Sequence, residues 1–418
     1  MTGFGRRLRV LAIGPQPVWP PIDGGKEGIH GALQALARHV ELVYACPCPN
    51  PRADSYEHFR SLGIDYRPVP FQPTDSPAVV LASTLQLKPF KFHKYGTRNA
   101  LRAFSSVLGG LQPDAVFCFH AHTEELGQRL RRRHAWNVPI MVREHNIEYE
   151  LVASYRATLP LPSRLASAPF EWLTRRAEQG QWARVDSVAF LSDRDYAIAV
   201  ATGSVARPLL APEGVPLPMR RERQRPQGPP QLLIPLNARA TQSVWNLRRF
   251  LHEYWVRMAV EPVLGDTRLA ITGVGAGLLH QLTGITPGEQ ARTRIDALGF
   301  LPSLEPVFES ALALISPTFV GGGIRKKILE AMAHQLPVIA TSLDIDTSHF
   351  FDPPHNILRL GTPREFASTV ASLATDDAQW HRLANAGRET VERHACWDGF
   401  AAVIVAELET LVHARESQ

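Results

Sequence analysis

Short apolar, β-branched runs alternate along the chain with longer stretches in which apolar positions recur every three or four residues. Strands buried on both faces read as continuous apolar runs, and amphipathic stretches between them read as crossover helices, so the alternation predicts βαβ units and parallel sheets. In the first half the predicted strands are LRVLAIG (8–14), VELVYAC (40–46), DAVFCFH (114–120), PIMVREH (139–145) and DSVAFLS (186–192). A second set, QLLIPLN (231–237), RLAITGVG (268–275), ALALISP (311–317) and PVIATS (337–342), follows a segment at 211–230 that is rich in proline, glycine and arginine. Linker-like composition at that point predicts an α/β architecture of two Rossmann-like, doubly wound domains, 1–215 and 216–395. The amphipathic helix in 396–418 is assigned to pack back toward the N-terminal domain. Ligands of such sheets gather at the carboxyl ends of the strands, which makes a central cleft between the domains the expected site.

Composition narrows the partners. A chain of 418 residues with 44% hydrophobic and 20% charged residues has the make-up of a globular protein of two ordinary domains. The net charge of +5 is mild, and the basic runs Arg131–Arg133 and Arg220–Arg225 lack interleaved aromatics, so nucleic acid is not the expected partner. A phosphorylated ligand or an anionic membrane surface suits this balance. Four scattered cysteines, with Cys46 and Cys48 in a C-P-C that lacks zinc-site spacing, point to reduced thiols. No run approaches the ~20 apolar residues of a membrane span, and the expectation is a cytoplasmic protein.

The chemistry concentrates in GGGIRKKILEAMAHQLPVIAT, 321–341. Glycines at a strand-to-helix turn let backbone N–H groups approach an anion, and the helix N-terminus adds partial positive charge. With a helix starting near Ile324, Ile328, Ala331 and Met332 share its apolar face, and Lys326, Lys327, Glu330 and His334 the opposite one. Arg325 then lies in the first turn, where a cation opposes the helix dipole unless an anion compensates. Glu330 sits ~9 Å along the helix, placed to accept two ribose hydroxyls behind a diphosphate. The pattern reads as a nucleoside diphosphate site, against the bland alternative of a glycine loop with a solvated Lys326/Glu330 pair.

This segment resembles the GGGxRxKxLEAMAxGxPVVxT motif of retaining GT-B glycosyltransferases, the family usually called glycosyltransferase family four. PPIDGGKEGIHGALQALA at the first strand-to-helix turn, HNIEY (145–149), FLSDRD (190–195), PEGV (212–215) and VERHACW (391–397) fall in the family's order. The resemblance implies a GT-B fold and transfer of a hexose-type sugar from a nucleoside-diphosphate sugar, UDP before GDP, to a glycan, lipid-linked or secondary-metabolite hydroxyl in cell-surface polysaccharide synthesis. It implies that Glu330 holds the donor ribose, that Gly322, Gly323 and Ile324 offer amides to the diphosphate, and that Arg325 and Lys327 neutralise the leaving group. Gly24 and Gly25 match the N-terminal glycine loop over the donor, with Lys26 beside the acceptor. His120 matches the histidine at the transferred sugar, with His122 a competitor, while Glu144, His145 and Asn146 end the next strand on the acceptor side. Cations and helix N–H groups can stabilise a departing diphosphate without a metal, so no metal and no cofactor are expected. Members of the family often dock at membranes, here the inner face of the plasma membrane, and LKPFKFHKYGTRNALRAF (87–104), basic and aromatic, is the segment that suits such an interface.

The chain also departs from the pattern. The first glutamate of the family's pair is Gly322, Arg239 is the only cation in NARATQSVWN and is assigned to phosphate, and Asp346 lacks the glycine that follows the corresponding glutamate. These departures keep open a degenerate binding protein and a sugar-nucleotide epimerase. D-I-D (344–346) and D-R-D (193–195) raise a metal-dependent transferase, and GVGAG (273–277) a dehydrogenase, although its glycine spacing is wrong for a dinucleotide loop.

Overall fold

The computed structural model describes residues 6–74, 76, 83, 89–220, 222–323 and 325–417. The chain divides into two compact units, Met1–Gly214 with Trp397–Gln418, and Val215–Cys396.

Unit 1 is built on seven strands, β1 (Arg9–Ile13), β2 (Glu41–Pro47), β3 (Asp65–Val69), β4 (Ala115–Phe119), β5 (Ile140–Arg143), β6 (Ser187–Phe190) and β7 (Pro208–Leu210), in the order β3-β2-β1-β4-β5-β6-β7. Every neighbouring pair is parallel. The register aligns Ile13 with Cys118 and Cys118 with Val142, so the chain leaves β1, β4 and β5 along one carboxyl edge. Four helices of this unit matter below: α1 (Gly24–Leu36), α2 (Glu148–Arg156), α3 (Leu161–Ala166) and α4 (Ala168–Trp182). Leu11, Ile13, Phe104, Val116, Val142 and Trp182 form part of its core. The helix Trp397–Glu416 belongs to this unit, and Gly31 of α1 leaves no room for a Cβ against the Trp397 indole.

Unit 2 carries β8 (Gln231–Pro235), β9 (Arg268–Thr272), β10 (Val274–Gly275), β11 (Ile295–Gly299), β12 (Ala313–Ser316), β13 (Val338–Ala340) and β14 (Leu358–Arg359) in the order β10-β11-β9-β8-β12-β13-β14. Only the short β10 runs antiparallel, against β11. The strands are apolar on both faces: Leu232 and Ile234 join one core cluster with Trp255 and Trp380, and the intervening Leu233 joins another with Ile328 and Leu329. The second cluster seats α5 (Lys326–Ala333) against the sheet, and α6 (Ser342–Ile345) follows β13.

Candidate active site

In unit 2 the end of β12 leads into the glycine turn. Gly321 has φ 142° and Gly323 φ 69°, backbone conformations that favour glycine. That left-handed residue keeps the chain from coiling at once, so α5 begins at Lys326 rather than near Ile324, and Arg325 is its N-cap in an extended conformation. The Arg325 guanidinium folds back over Gly321, where an added Cβ would collide with Nη2. Its Nε donates to Asp344 Oδ1 at 3.0 Å, and Ser316 Oγ donates to Asp344 Oδ2 at 2.6 Å. Lys327 turns away from the solvent face expected of it: Nζ lies 3.5 Å from the Pro235 carbonyl at the end of β8. Burial brings its ammonium down to about 8, with Arg325 acting in the same direction and Asp344 opposing. Lys326 Nζ sits 3.5 Å from Glu330 Oε1 on the outer face of the helix.

In unit 1 the corresponding edge carries histidines. His120 follows β4 with φ 71° and ψ 147°, a conformation that costs a β-carbon-bearing residue of order 1–3 kcal/mol and persists only when its surroundings enforce it. They do so here with several bonds. The His120 N–H donates to the Arg143 carbonyl at 2.9 Å, and Thr123 Oγ1 donates to the Phe119 and His120 carbonyls at 3.0 and 3.1 Å. Gln181 Nε2 donates to the Ala121 carbonyl at 3.1 Å, and the Ala121 N–H bonds the Glu144 carboxylate. The His120 ring lies 5.2 Å from His145 and 5.9 Å from His122, centroid to centroid. Burial holds its imidazole well below the ordinary histidine range, and His145, His122, Arg143 and Lys91 push the same way, so the ring is neutral.

Glu148, at the start of α2, faces the Lys91 ammonium, with Nζ at 3.2 Å, and the His122 ring, with Nε2 at 3.5 Å. Burial alone would raise it, but these partners hold it at about 2. The α2 N-terminus is closed by Glu178 of α4, which accepts the N–H of Glu148 at 2.8 Å and of Tyr149 at 3.1 Å. One turn on, the Trp182 indole donates to Glu144 Oε1 at 2.8 Å. Helix α4 thus braces both the His120 turn and the HNIEY segment.

Solved structures resemble the whole chain. Sucrose-phosphate synthase from Thermosynechococcus elongatus is 15% identical, with 97% of this chain and 100% of that one covered at a TM-score of 0.70. HepE from Anabaena, solved in complex with UDP, is 12% identical, with 97% and 100% covered and a TM-score of 0.63. The lipopolysaccharide outer core galactosyltransferase WaaB is 14% identical, with 95% and 99% covered and a TM-score of 0.59. The chain has the GT-B fold. Residues 239–376, about a third of the sequence, match the family model of glycosyl transferases group 1, and no curated protein gives a significant sequence match.

On this GT-B scaffold unit 2 brings Gly322, Gly323, Arg325, Lys327 and Glu330 onto one turn and its helix; Ile324 lies outside the described residues. Arg239 follows β8, exposed, with its N–H donating to Asn237 Oδ1 at 3.1 Å. Gly24 and Gly25 open α1, capped by Asp23, which accepts the Lys26 N–H at 3.0 Å. A Cβ at Gly24 would meet nothing within 4 Å, so packing inside the chain does not demand that glycine. His145 and Asn146 are partly exposed, whereas the Glu144 carboxylate turns inward to Trp182.

Two expectations change. In 87–104, Leu87 and Lys88 lie outside the described residues, and Phe92, Tyr95 and Phe104 are buried in unit 1, so these three aromatic side chains serve the core and are not offered to a membrane. The D-I-D carboxylates part company: Asp344 is fully buried on Arg325 and Ser316, and Asp346 is exposed. Sequence reasoning missed Glu148 and Glu178, and saw Asp344 only as part of a D-I-D metal pattern. Glu148 sits inside HNIEY and could have been found there; Glu178 is a single acid in ordinary helical sequence.

Proposed function

We propose that the chain is a retaining glycosyltransferase that moves a hexose-type sugar from a nucleoside-diphosphate sugar, UDP first and GDP second, to a hydroxyl of a glycan, glycolipid or secondary-metabolite acceptor in cell-surface polysaccharide synthesis. One observation carries the reading: two cations, Arg325 and Lys327, and a glycine turn meet at the head of α5, four residues before Glu330, inside the region that matches glycosyl transferases group 1. HepE in its UDP complex and the galactosyltransferase WaaB, proteins of the same fold, support the donor class.

In this mechanism the bond between the anomeric carbon and the β-phosphate oxygen breaks as the acceptor oxygen bonds to that carbon. The acceptor proton passes to the β-phosphate oxygen, and the nucleoside diphosphate leaves. Arg325, Lys327 and the turn's amides stabilise the charge that develops on the leaving group, so no metal and no protein nucleophile are called on. The neutral His120 ring donates or accepts a hydrogen bond at the sugar, and Lys26, His145 and Asn146 orient the acceptor.

The protein acts on the cytoplasmic face of the membrane in this proposal. The surface offered to lipid is α3 and α4, where Leu161 is 67%, Leu165 65% and Trp172 56% exposed among Arg164, Arg175 and Arg176. Thermal-shift measurements against UDP-, GDP- and dTDP-sugars test the donor assignment: at least one stabilises the wild type, and Glu330→Ala and Arg325→Ala abolish the shift. If no nucleotide stabilises the wild type, the donor reading fails. Product analysis then separates transfer from epimerisation, which needs no acceptor, and from binding without turnover.

A further inference from the structure

Asp344 is fully buried and ion-paired with Arg325, and a second cation, Lys327, feels its charge. Arg325 reaches it from ahead of α5, and the Lys327 ammonium, within its electrostatic influence, comes from the first turn of that helix. Ser316 Oγ fixes the other carboxylate oxygen from the end of β12, while Thr341 accepts the Asp344 N–H at 3.4 Å and holds the first turn of α6. Lys326 and Glu330 pair with each other on the outer face. Around Asp344 two positive charges therefore face one negative, and the excess cation sits beside the glycine turn, where an anion would balance it.

The geometry at Arg325 is specific. Its bond to Asp344 uses Nε, whereas Nη2 lies over Gly321. A guanidinium held by Nε keeps its outer fork of N–H groups for bidentate contact with phosphate oxygens.

We propose that Asp344 is the positioning residue of the diphosphate subsite: it grips Arg325 through Nε so that the outer N–H groups face the donor, and it retains the Lys327 ammonium beside them. This inference rests on the donor reading above and deepens it. The charged groups that act on Lys327 are Asp344 from α6 and Arg325 from the turn, with the Pro235 carbonyl facing it from β8. Lys327 carries its charge below about 8 and loses it above, so donor affinity falls on the alkaline side; removing the Asp344 charge moves that fall to lower pH.

The test is titration calorimetry of the full chain with UDP-glucose and GDP-mannose from pH 6.5 to 8.5, for the wild type and Asp344→Asn. The asparagine keeps the shape and can still accept from Ser316. The wild type loses about fourfold in affinity across this range as a single group with a pKa near 8 titrates. Asp344→Asn binds roughly tenfold more weakly at pH 6.5, and its alkaline fall begins at lower pH, which general loosening of the fold would not produce. Should Asp344→Asn fail to fold, Ser316→Ala replaces it and is expected to weaken donor binding while leaving the pH of the fall unchanged. If the wild type binds neither donor, the subsite reading falls and this inference with it. If the wild type binds and the variant matches it in affinity and pH profile, the inference alone is overturned.

Discussion

Gly322 and Gly323 are neighbours, but the structure assigns them different reasons for being glycine, and alanine substitution separates the two. Gly323 has φ 69°, so alanine there is strained and is expected to cost roughly 1–2 kcal/mol of stability. Gly322 has no such φ, and a Cβ built on it meets nothing within 4 Å. Alanine at 322 therefore leaves the fold intact and, by restricting the unfolded chain, adds about 0.4–1 kcal/mol. If a diphosphate lies against this backbone, the same methyl group stands where the phosphate oxygens approach and displaces an amide bond to a charged acceptor, worth about 1.5–3 kcal/mol. That corresponds to a loss of roughly 10- to 150-fold in donor affinity. Urea denaturation and calorimetry with the stabilising sugar nucleotide measure both quantities on the same samples. Gly322→Ala that unfolds earlier than the wild type, or that binds the donor equally well, would refute this account of the turn.

Four further outcomes follow from unit 1. Trp182→Phe removes the indole donor from the buried Glu144 carboxylate and is expected to lower the unfolding free energy by about 1–3 kcal/mol, measured in urea. Burial, with the charges of Glu148 and Asp195, lifts the Glu144 carboxyl above its ordinary 4.5, so the folded chain keeps a proton that the unfolded chain releases; stability falls as pH rises above 4.5 until the folded carboxyl has ionised, and Glu144→Gln flattens that fall in a pH series of denaturation curves. Gly28 of α1 sits against the Glu213 carboxylate, itself 3.5 Å from the buried Arg143, and Gly28→Ala overpacks this contact at a cost of about 1–3 kcal/mol in the same assay. Vesicles rich in phosphatidylglycerol are expected to retain the wild type at low salt and to release it when Leu161→Asp and Leu165→Asp are combined; equal retention of both proteins removes α3 and α4 as the membrane surface.

The strands that the apolar pattern predicted are those with neighbours on both sides, because a doubly covered parallel strand must be apolar throughout. All nine such runs appear, from Arg9–Ile13 to Val338–Ala340. The strands the pattern missed are mostly at sheet margins. Asp65–Val69 is an edge strand that carries Asp65, Arg67 and Pro68, and Pro208–Leu210 and Leu358–Arg359 are edges only three and two residues long. Ile295–Gly299 lies inside its sheet but contains Asp296 and ends at a left-handed glycine, which breaks the apolar run. In 87–104 composition gives the count of aromatics but not the face they occupy, and Phe92, Tyr95 and Phe104 occupy the inner one.

The same physics explains why one part of the proposed chemistry is written locally and the other is not. Phosphate recognition uses backbone amides, glycine conformations and a helix start, all of which must be contiguous, so residues 321–330 suffice to state it. The unit 1 cluster instead draws Lys91, His120, His145, Glu148 and Glu178 from separate strand ends and helices, and its central residue owes its unusual backbone to bonds from Thr123, Gln181 and Glu144. None of these spacings repeats a motif that chemistry alone requires. Asp344 lies between the two cases. Its carboxylate is conspicuous in the sequence, and D-I-D invites a metal, but its role depends on which way the side chain turns. Once β12 and α5 place Ser316 and Arg325 on either side of it, the charge is committed inward, and what it presents to a ligand is the outer edge of the arginine it holds.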